Sequence, residues 1–321
     1  MPQTSDAQSA VLAEVVRSDF VEGCHRGAVV ALAPDGSELW RLGDPDRPVF
    51  PRSSNKPIQA VGMLRAGLEL DGELLALACA SHSGEAFHID GVRRILANVG
   101  LDESALQTPA DYPVDDLEKL AFVRAGHPPS PVAMNCSGKH AAMLATCVAN
   151  DWPLDTYLEA DHPLQQAVRA TVADVAGEQI TAVGVDGCGA PLFALTLTAL
   201  ARAFSRIATA PADTAEARVA AAIRAHPTWL GGTRRDVSAL IAAVPGIVAK
   251  DGAEAVYAAA LADGRAIALK IDDGGQRARS PVMVAALRRL GVDVSELDGF
   301  ATAPLLGGGR RVGEVRSVIW P

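Results

Sequence analysis

The sequence predicts a mixed α/β fold of the α+β kind, with one antiparallel sheet built from both ends of the chain and a mainly helical lobe inserted between them. Strand patterns occur near the start of the chain and again in its last third, and the intervening residues are mainly helical. Hairpin turns occur in both strand regions, at Pro34-Asp35-Gly36 and at Asp263-Gly264. We therefore expect one unit over 1–321, with a sheet lobe of about 1–60 plus 235–321 and a helical lobe of about 61–234.

The N-terminal strands are indicated by apolar, β-branched runs that are broken by turn residues. Residues 27–33 and 37–42 predict two strands joined by the turn at Pro34. A stretch rich in Pro and Arg then leads into a helix from about Asn55 to Ala66, whose apolar residues recur at helical spacing.

The middle of the chain predicts a series of helices, each bounded by Gly, Pro, Asp or Asn. Their expected bounds are Asp71–Cys79, His88–Asn98, Val114–Ala125, Lys139–Ala149, Pro163–Val175 and Ala190–Ile207. Residues 210–225 then lead into another helix. In the last third, the expected elements are strands Ala255–Ala262 and Ala266–Ile271, helix Ser280–Leu290 and strand Val315–Trp320.

The composition is that of a globular protein with a sizeable core: 321 residues, 49% of them hydrophobic. A net charge of -9 argues against nucleic acid or an anionic membrane as partner. No apolar run is long enough to span a membrane, and the N-terminus lacks the pattern of a signal peptide. Five widely spaced cysteines are typical of a reducing compartment. We therefore expect a cytoplasmic protein.

The segment Arg52-Ser53-Ser54-Asn55-Lys56 is the first candidate for chemistry. Ser53 and Lys56 are three residues apart where a helix is expected to begin, so they share one face of it. Backbone N–H groups at a helix N-terminus favour developing negative charge, and a buried lysine gives up its proton more readily and can act as a base. The alternative is that Ser53 or Ser54 is an ordinary helix N-cap.

Two further polar clusters follow along the chain. Ser81-His82-Ser83-Gly84-Glu85 gathers exchangeable protons at a predicted loop, and its spacing is one residue too long for a helix capping box. Asn135-Cys136-Ser137-Gly138-Lys139-His140 predicts a tight turn that opens a helix with a thiol, a lysine and a histidine directed inward. The upstream glycine of a phosphate loop is absent, which excludes a nucleotide site of that type.

A third cluster surrounds Asp186 and Cys188, where three glycines indicate unusual backbone. Cys136, Cys188, Lys139 and His140 are possible metal ligands, although the cysteines lack the close spacing of a zinc knuckle. The alternative is that both cysteines are free, buried and structural. Lys250 follows an apolar run, and the sequence leaves open whether it faces a cleft or solvent.

These motifs, in this order, resemble the asparaginase II family, the rhizobial-type (class 3) asparaginases. The resemblance extends from about His25 to the C-terminus and is carried by Phe50–Pro57, Ser81–Glu85, Asn135–His140, Asp186–Gly189 and Lys270–Gly274. It implies a fold like that of serine β-lactamases and glutaminases. It also implies hydrolysis of L-asparagine to L-aspartate and ammonia.

The resemblance implies a role for each matching residue. Ser53 and Lys56 match a first Ser–Lys pair, in which the lysine deprotonates the serine that attacks the amide. Ser81 and Lys250 match a second pair, which would relay a proton to the leaving ammonia. A homodimer is also implied.

Further expectations concern the metal and the substrate. The resemblance implies a zinc ion held by Cys136, Lys139 and Cys188. Asp186 is expected to bind the α-ammonium group of asparagine and Arg52 its α-carboxylate, while Asn135 and His140 are expected to line the same side of the pocket.

Two other interpretations stay open. The chain is alternatively a glutaminase or another serine amidohydrolase of the β-lactamase-like fold, because a fold does not fix its substrate. It is alternatively a non-catalytic protein that binds asparagine or a metal, with its serines acting as helix caps. Such a binder would be stabilised by asparagine without releasing ammonia.

Overall fold

The computed structural model describes residues 8–319. The strands are β1 Ala10–Arg17, β2 Phe20–Leu32, β3 Glu38–Leu42, β4 Val183–Val185, β5 Pro191–Phe193, β6 Val248–Gly252, β7 Val256–Ala260, β8 Ala266–Ile271, β9 Thr302–Gly307 and β10 Arg310–Ser317. The helices are α1 Lys56–Arg65, α2 Gly72–Ala78, α3 Ala86–Ala97, α4 Asp116–Arg124, α5 Ser137–Ala149, α6 Pro163–Ala176, α7 Leu197–Ala208, α8 Ala215–Ala225, α9 Pro227–Leu230, α10 Asp236–Ala243 and α11 Gln276–Arg289. None of the helices in this described part is long and apolar enough to cross a membrane.

The chain divides into two compact units. The sheet unit takes the chain up to Ser54, the segment Leu195–Thr209 and the chain from Ala239 onward. The helical unit takes Asn55–Ala194 and Ala210–Ser238. Leu195–Thr209 therefore belongs with the sheet, although the sequence placed it in the helical lobe.

The sheet unit is built on an antiparallel sheet with the order β6-β7-β8-β2-β1-β10-β9, to which β3 adds by pairing with β2. Strands from both ends of the chain meet where β1 pairs with β10 and where β2 pairs with β8. Every residue of β6 and β7 is buried. The predicted α+β architecture, with an antiparallel sheet from both termini, is confirmed.

The helical unit is organised around two buried helices. In α1 every residue from Lys56 to Leu64 is buried, and in α5 every residue from Ser137 to Cys147 is buried. A helix that is buried on all sides must be covered by neighbouring elements, and here α6, α8, α2 and α3 pack against this pair. Lys56 begins α1 and Lys139 lies in the first turn of α5, so both lysines enter the interior of the unit.

Several sequence-based expectations about individual elements are wrong. The expected helix Ala190–Ile207 is divided into β5 and α7, because Pro191–Phe193 pairs with β4 and Thr196 caps α7 by accepting from Ala199 N. Strands β6 and β9 were not expected. The last strand begins at Arg310, after a turn in which Gly308 and Gly309 have positive φ, and ends at Ser317. Trp320 lies outside the described residues.

Candidate active site

Lys56 is the centre of a buried polar cluster in the helical unit. Its side chain is 1% exposed. The Nζ atom donates to Ala80 O at 2.6 Å, to Ser81 Oγ at 3.1 Å and to Cys136 Sγ at 3.1 Å. An ammonium group has three protons to donate, so these three contacts satisfy it. The structure thus brings together a lysine, a serine hydroxyl and a thiol from three separate parts of the chain.

Ser81 lies in the connection between α2 and α3, which is held by a second chain segment. Ser81 N donates to Leu230 O at 3.2 Å, and Ser83 N donates to Gly231 O at 2.8 Å. This strand-like pairing fixes the backbone on both sides of His82. The role of the Leu230–Thr233 segment was not predicted from the sequence, although its Gly231-Gly232 pair is a sign of close backbone approach.

Glu85 and Gly232 lock the same two segments together. The Glu85 carboxylate accepts from Thr233 N and Thr233 Oγ1, both at 2.8 Å. Gly232 has φ +140°, and a Cβ atom there would lie 2.1 Å from Ser83 Oγ. Only glycine fits this position without displacing Ser83.

Cys136 and Cys188, which come from distant turns, are joined by a hydrogen bond. The pKa of Cys188 is lowered, first by a hydrogen bond from the Cys136 thiol and then, against the effect of burial, by the nearby Lys139 charge. The pKa of Cys136 is raised by the same hydrogen bond and by burial. We therefore describe the pair as a Cys136 thiol and a Cys188 thiolate. Asn135 Oδ1 lies 3.0 Å from Cys136 Sγ.

Lys139 is the counter-ion of that thiolate. Its Nζ lies 3.2 Å from Cys188 Sγ, and the side chain is 2% exposed. Burial alone would lower the pKa of Lys139, but the neighbouring Cys188, Cys136 and Asp186 raise it overall. Burial lowers the pKa of the adjacent His140 to about 4, so this ring is neutral near pH 7, and its Nδ1 is 2.8 Å from Tyr157 Oη.

Asp186 and Cys188 are carried by the tight connection between β4 and β5. Asp186 N donates to Ala190 O at 2.9 Å, and Gly189 N donates to Asp186 O at 2.8 Å. Gly189 has φ +88°, a conformation that favours glycine. The connection buries the Cys188 thiol and leaves the Asp186 side chain partly exposed, as a substrate-binding carboxylate would need.

The donor set fits a zinc ion. Among residues 8–319 no group of three or more His, Cys, Asp or Glu side chains is arranged to hold a metal. The set at this site has a different composition, with two thiols and the amine of Lys139. Zinc binds thiolate sulfur and nitrogen, and Lys139 would first have to lose its proton.

Arg52 and Ser53 lie in the sheet unit, in a turn of 3₁₀ helix that runs from Arg52 to Asn55 directly before α1. Arg52 has φ +52°, which is strained for a non-glycine residue. Its guanidinium lies 3.8 Å from the Glu254 carboxylate. The N-cap position of α1 is Asn55, without a side-chain cap, so the alternative that Ser53 or Ser54 caps this helix is wrong.

Lys250 lies on β6 of the sheet unit and is 0% exposed, so it is not a solvated lysine. Its Nζ donates to Asp251 Oδ1 at 2.7 Å and to Asp251 O at 2.8 Å. Arg279 Nη1 lies 3.0 Å from the other oxygen of the same carboxylate. The Asp251 carboxylate is therefore shared by two buried cations.

Comparison with solved structures gives distant similarities. The chain is 16% identical to Mglu in its native form, over 88% of this chain and 69% of that one, with a TM-score of 0.43. It is 12% identical to a beta-lactamase from Mycobacterium bovis (82% and 94% covered, TM-score 0.46). It is 11% identical to a Bacillus glutaminase (84% and 92% covered, TM-score 0.46). Sequence identities and TM-scores this low give no information about the substrate of this chain.

Sequence similarity identifies the family of the chain. A search of curated proteins gave no match. The family model described as L-asparaginase II matches residues 13–317, a range that includes Lys56, Ser81 and both thiols of the buried cluster. The chain therefore belongs to the L-asparaginase II family, and it is an amidohydrolase by membership.

Proposed function

We propose that the protein is an L-asparaginase that hydrolyses the side-chain amide of L-asparagine by a Ser–Lys mechanism. The observation that supports this most directly is the contact of Lys56 Nζ with Ser81 Oγ at 3.1 Å, inside a buried cluster. A lysine beside a serine hydroxyl is the arrangement that nucleophilic catalysis requires. Membership of the L-asparaginase II family supports the choice of substrate.

The proposed reaction runs from the deprotonated form of Lys56, whose neutral amine accepts the proton of a serine hydroxyl. The serine oxygen forms a bond to the side-chain carbonyl carbon of asparagine, and the C–N bond breaks as the nitrogen takes up a proton and leaves as ammonia. Water then hydrolyses the acyl-enzyme ester to aspartate. The resemblance of the sequence assigns the nucleophile to Ser53, three residues before Lys56 along the chain. Ser81, whose Oγ lies 3.1 Å from Lys56 Nζ, is the alternative.

The substrate's charged groups define the remaining roles. Asp186 is the proposed partner of the α-ammonium group, and Arg52 is the proposed partner of the α-carboxylate. Neutral His140 and the Asn135 amide offer uncharged hydrogen-bonding groups beside the thiol pair. Lys250 is the proposed second lysine, which together with Ser81 would relay a proton to the leaving ammonia. A homodimer and a cytoplasmic location, both expected from the sequence, are also proposed.

We also propose that Cys136, Lys139 and Cys188 bind zinc. When bound, the ion would neutralise thiolate charge and fix the Lys139 amine in place. The proposed ligand set would consist of two sulfur atoms and one nitrogen atom from the chain itself.

The test is ammonia release from asparagine, with glutamine and a chromogenic β-lactam as competing substrates and with and without a chelator. We expect asparagine to be the preferred substrate. Ser53→Ala and Ser81→Ala should each lower turnover, whereas Ser104→Ala, which removes an exposed hydroxyl, should not.

Trapping and peptide mapping of the acyl-enzyme would identify the nucleophile. An aspartyl group on Ser53 supports the main assignment, and one on Ser81 supports the alternative. Near wild-type turnover in both serine variants would exclude the Ser–Lys mechanism. Saturable stabilisation by asparagine without ammonia would instead identify a binding protein.

A further inference from the structure

His82 is a fully buried residue that the proposed reaction does not use. Its Nε2 lies 2.8 Å from Ser137 Oγ, which in turn lies 2.8 Å from Val132 O. A hydroxyl has one proton and a carbonyl oxygen can only accept, so Ser137 donates to Val132 and accepts from His82. The imidazole therefore carries its proton on Nε2.

The environment of the ring argues against proton exchange. Nδ1 is buried and has no hydrogen-bond partner among the residues that the structure describes. The ring stacks on that of His88, with centroids 5.1 Å apart. Burial lowers the pKa of His82 well below its usual range, so the neutral ring is a fixed donor and not a general acid or base.

His82 is bonded to both neighbours of Cys136. Its backbone N–H donates to Asn135 O at 3.1 Å, and its ring donates to Ser137. The residue directly before it, Ser81, shares the Lys56 ammonium with Cys136. His82 therefore joins the two chain segments that carry these two acceptors.

We propose that His82 is a positioning residue, whose Nε2–H···Oγ bond to Ser137 sets the separation of Ser81 Oγ and Cys136 Sγ that Lys56 spans. Its effect on turnover rests on the proposed function. The bond itself can be observed independently of any activity.

Two variants of His82 distinguish the effect of losing the hydrogen-bond donor from the effect of changing the side-chain volume. His82→Leu removes the donor, whereas His82→Gln keeps a side-chain N–H that can reach Ser137. We expect His82→Leu to lower kcat for asparagine by about 10- to 100-fold with little change in KM, because small displacements of reacting groups cost rates of this order. His82→Gln should recover most of that loss, which a role in packing alone would not produce.

The partner residue and a control complete the test. Ser137→Ala removes the acceptor and should cost as much as His82→Leu, with no further loss in the double variant. His162 is another buried histidine, bonded to Pro153 O at 3.0 Å, and His162→Leu should lower Tm but not the kcat of folded enzyme. Unchanged kcat in His82→Leu, no recovery in His82→Gln, or additive losses in the double variant would overturn the proposal. If His82→Leu does not fold, the kcat values of His82→Gln and Ser137→Ala decide whether the proposal holds.

Nitrogen-15 NMR of labelled histidine tests the bond without reference to turnover. We expect His82 to stay neutral and protonated on Nε2 from about pH 5 to about pH 8, across the range where an unperturbed histidine titrates. A titrating ring, or one protonated on Nδ1, would contradict the inference. If the Nε2–H form is found but the wild-type protein releases no ammonia from asparagine, the proposed function fails and the hydrogen bond stands.

Discussion

Lys139 Nζ and Cys188 Sγ lie 3.2 Å apart in the interior of the helical unit, although the two residues are 49 positions apart in the chain. The contact joins the first turn of α5 to the connection between β4 and β5. A buried charge requires a partner, and each of these residues supplies the other's. Loss of either one therefore leaves a buried charge without its counterpart, which strongly destabilises a protein.

Zinc binding should depend on this pair. Cys188→Ser and Lys139→Met should each lose zinc, whereas the wild-type protein should retain roughly one ion per chain. The measurement is metal content by mass spectrometry after dialysis against limiting chelator. Cys24→Ser is the matched control, because Cys24 is an exposed free cysteine. Equal zinc content in Cys188→Ser and the wild-type protein would exclude these ligands.

Turnover should depend on the Lys56 amine. Lys56→Met keeps a long side chain but removes the group that contacts Ser81 Oγ and Cys136 Sγ. We expect kcat for asparagine to fall by about 10²- to 10⁴-fold, the usual contribution of a positioned acid–base group. Lys119→Met, which alters an exposed lysine on α4, should retain full activity. A folded Lys56→Met enzyme with more than a tenth of wild-type kcat contradicts the assignment.

The folded protein should lose stability in acid because of its buried neutral histidines. Burial lowers the pKa of His88 from 6.5 to about 4, so below pH 6.5 the unfolded chain binds a proton that the folded chain excludes. The contribution of His88 is fully present above about pH 6.5 and is lost as the pH falls towards about 4, to a total of about 3 kcal/mol.

Urea unfolding between pH 7 and pH 4.5, a range chosen to cross the histidine titration (roughly pH 6.5 when unperturbed), measures this loss. His88→Gln should give a flatter dependence of unfolding free energy on pH. His127→Gln, which removes an exposed histidine, should leave the slope as it is. Identical slopes in His88→Gln and the wild-type protein would show that burial of His88 does not set the acid limit.

Gly232→Ala should disturb the Ser81 connection. The new Cβ would lie 2.1 Å from Ser83 Oγ and 2.7 Å from Glu85 Oε1, at a backbone φ of +140°. We expect a loss of unfolding free energy of about 1–3 kcal/mol, as for other overpacked sites, together with reduced kcat. Gly299→Ala is the control, because nothing lies within 4 Å of its added Cβ. A Gly232→Ala protein with wild-type stability would refute the close packing of Gly232 against Ser83 and Glu85.

Local patterns predicted the long elements and the polar turns well, since their signals lie within a few residues of each other. The contacts of Lys56 with Ser81 and Cys136 join residues 25 and 80 positions apart, and no spacing rule reveals such pairs. Strands β6 and β9 were missed for the same reason. β9 contains Pro304 and ends at Gly307, a composition typical of turns, and it becomes a strand only through pairing with β10.

The pairing of β1 with β10, from Ala13 opposite Ser317 to Arg17 opposite Gly313, makes the order of synthesis matter. All residues of the helical unit have been translated by Ser238, whereas the sheet still lacks every strand from β6 onward. The first strands must wait, with one edge open to other chains, until Arg310–Ser317 emerges. Premature termination before Arg310 would therefore remove the partner of β1 and expose the unpaired edge of that strand to aggregation.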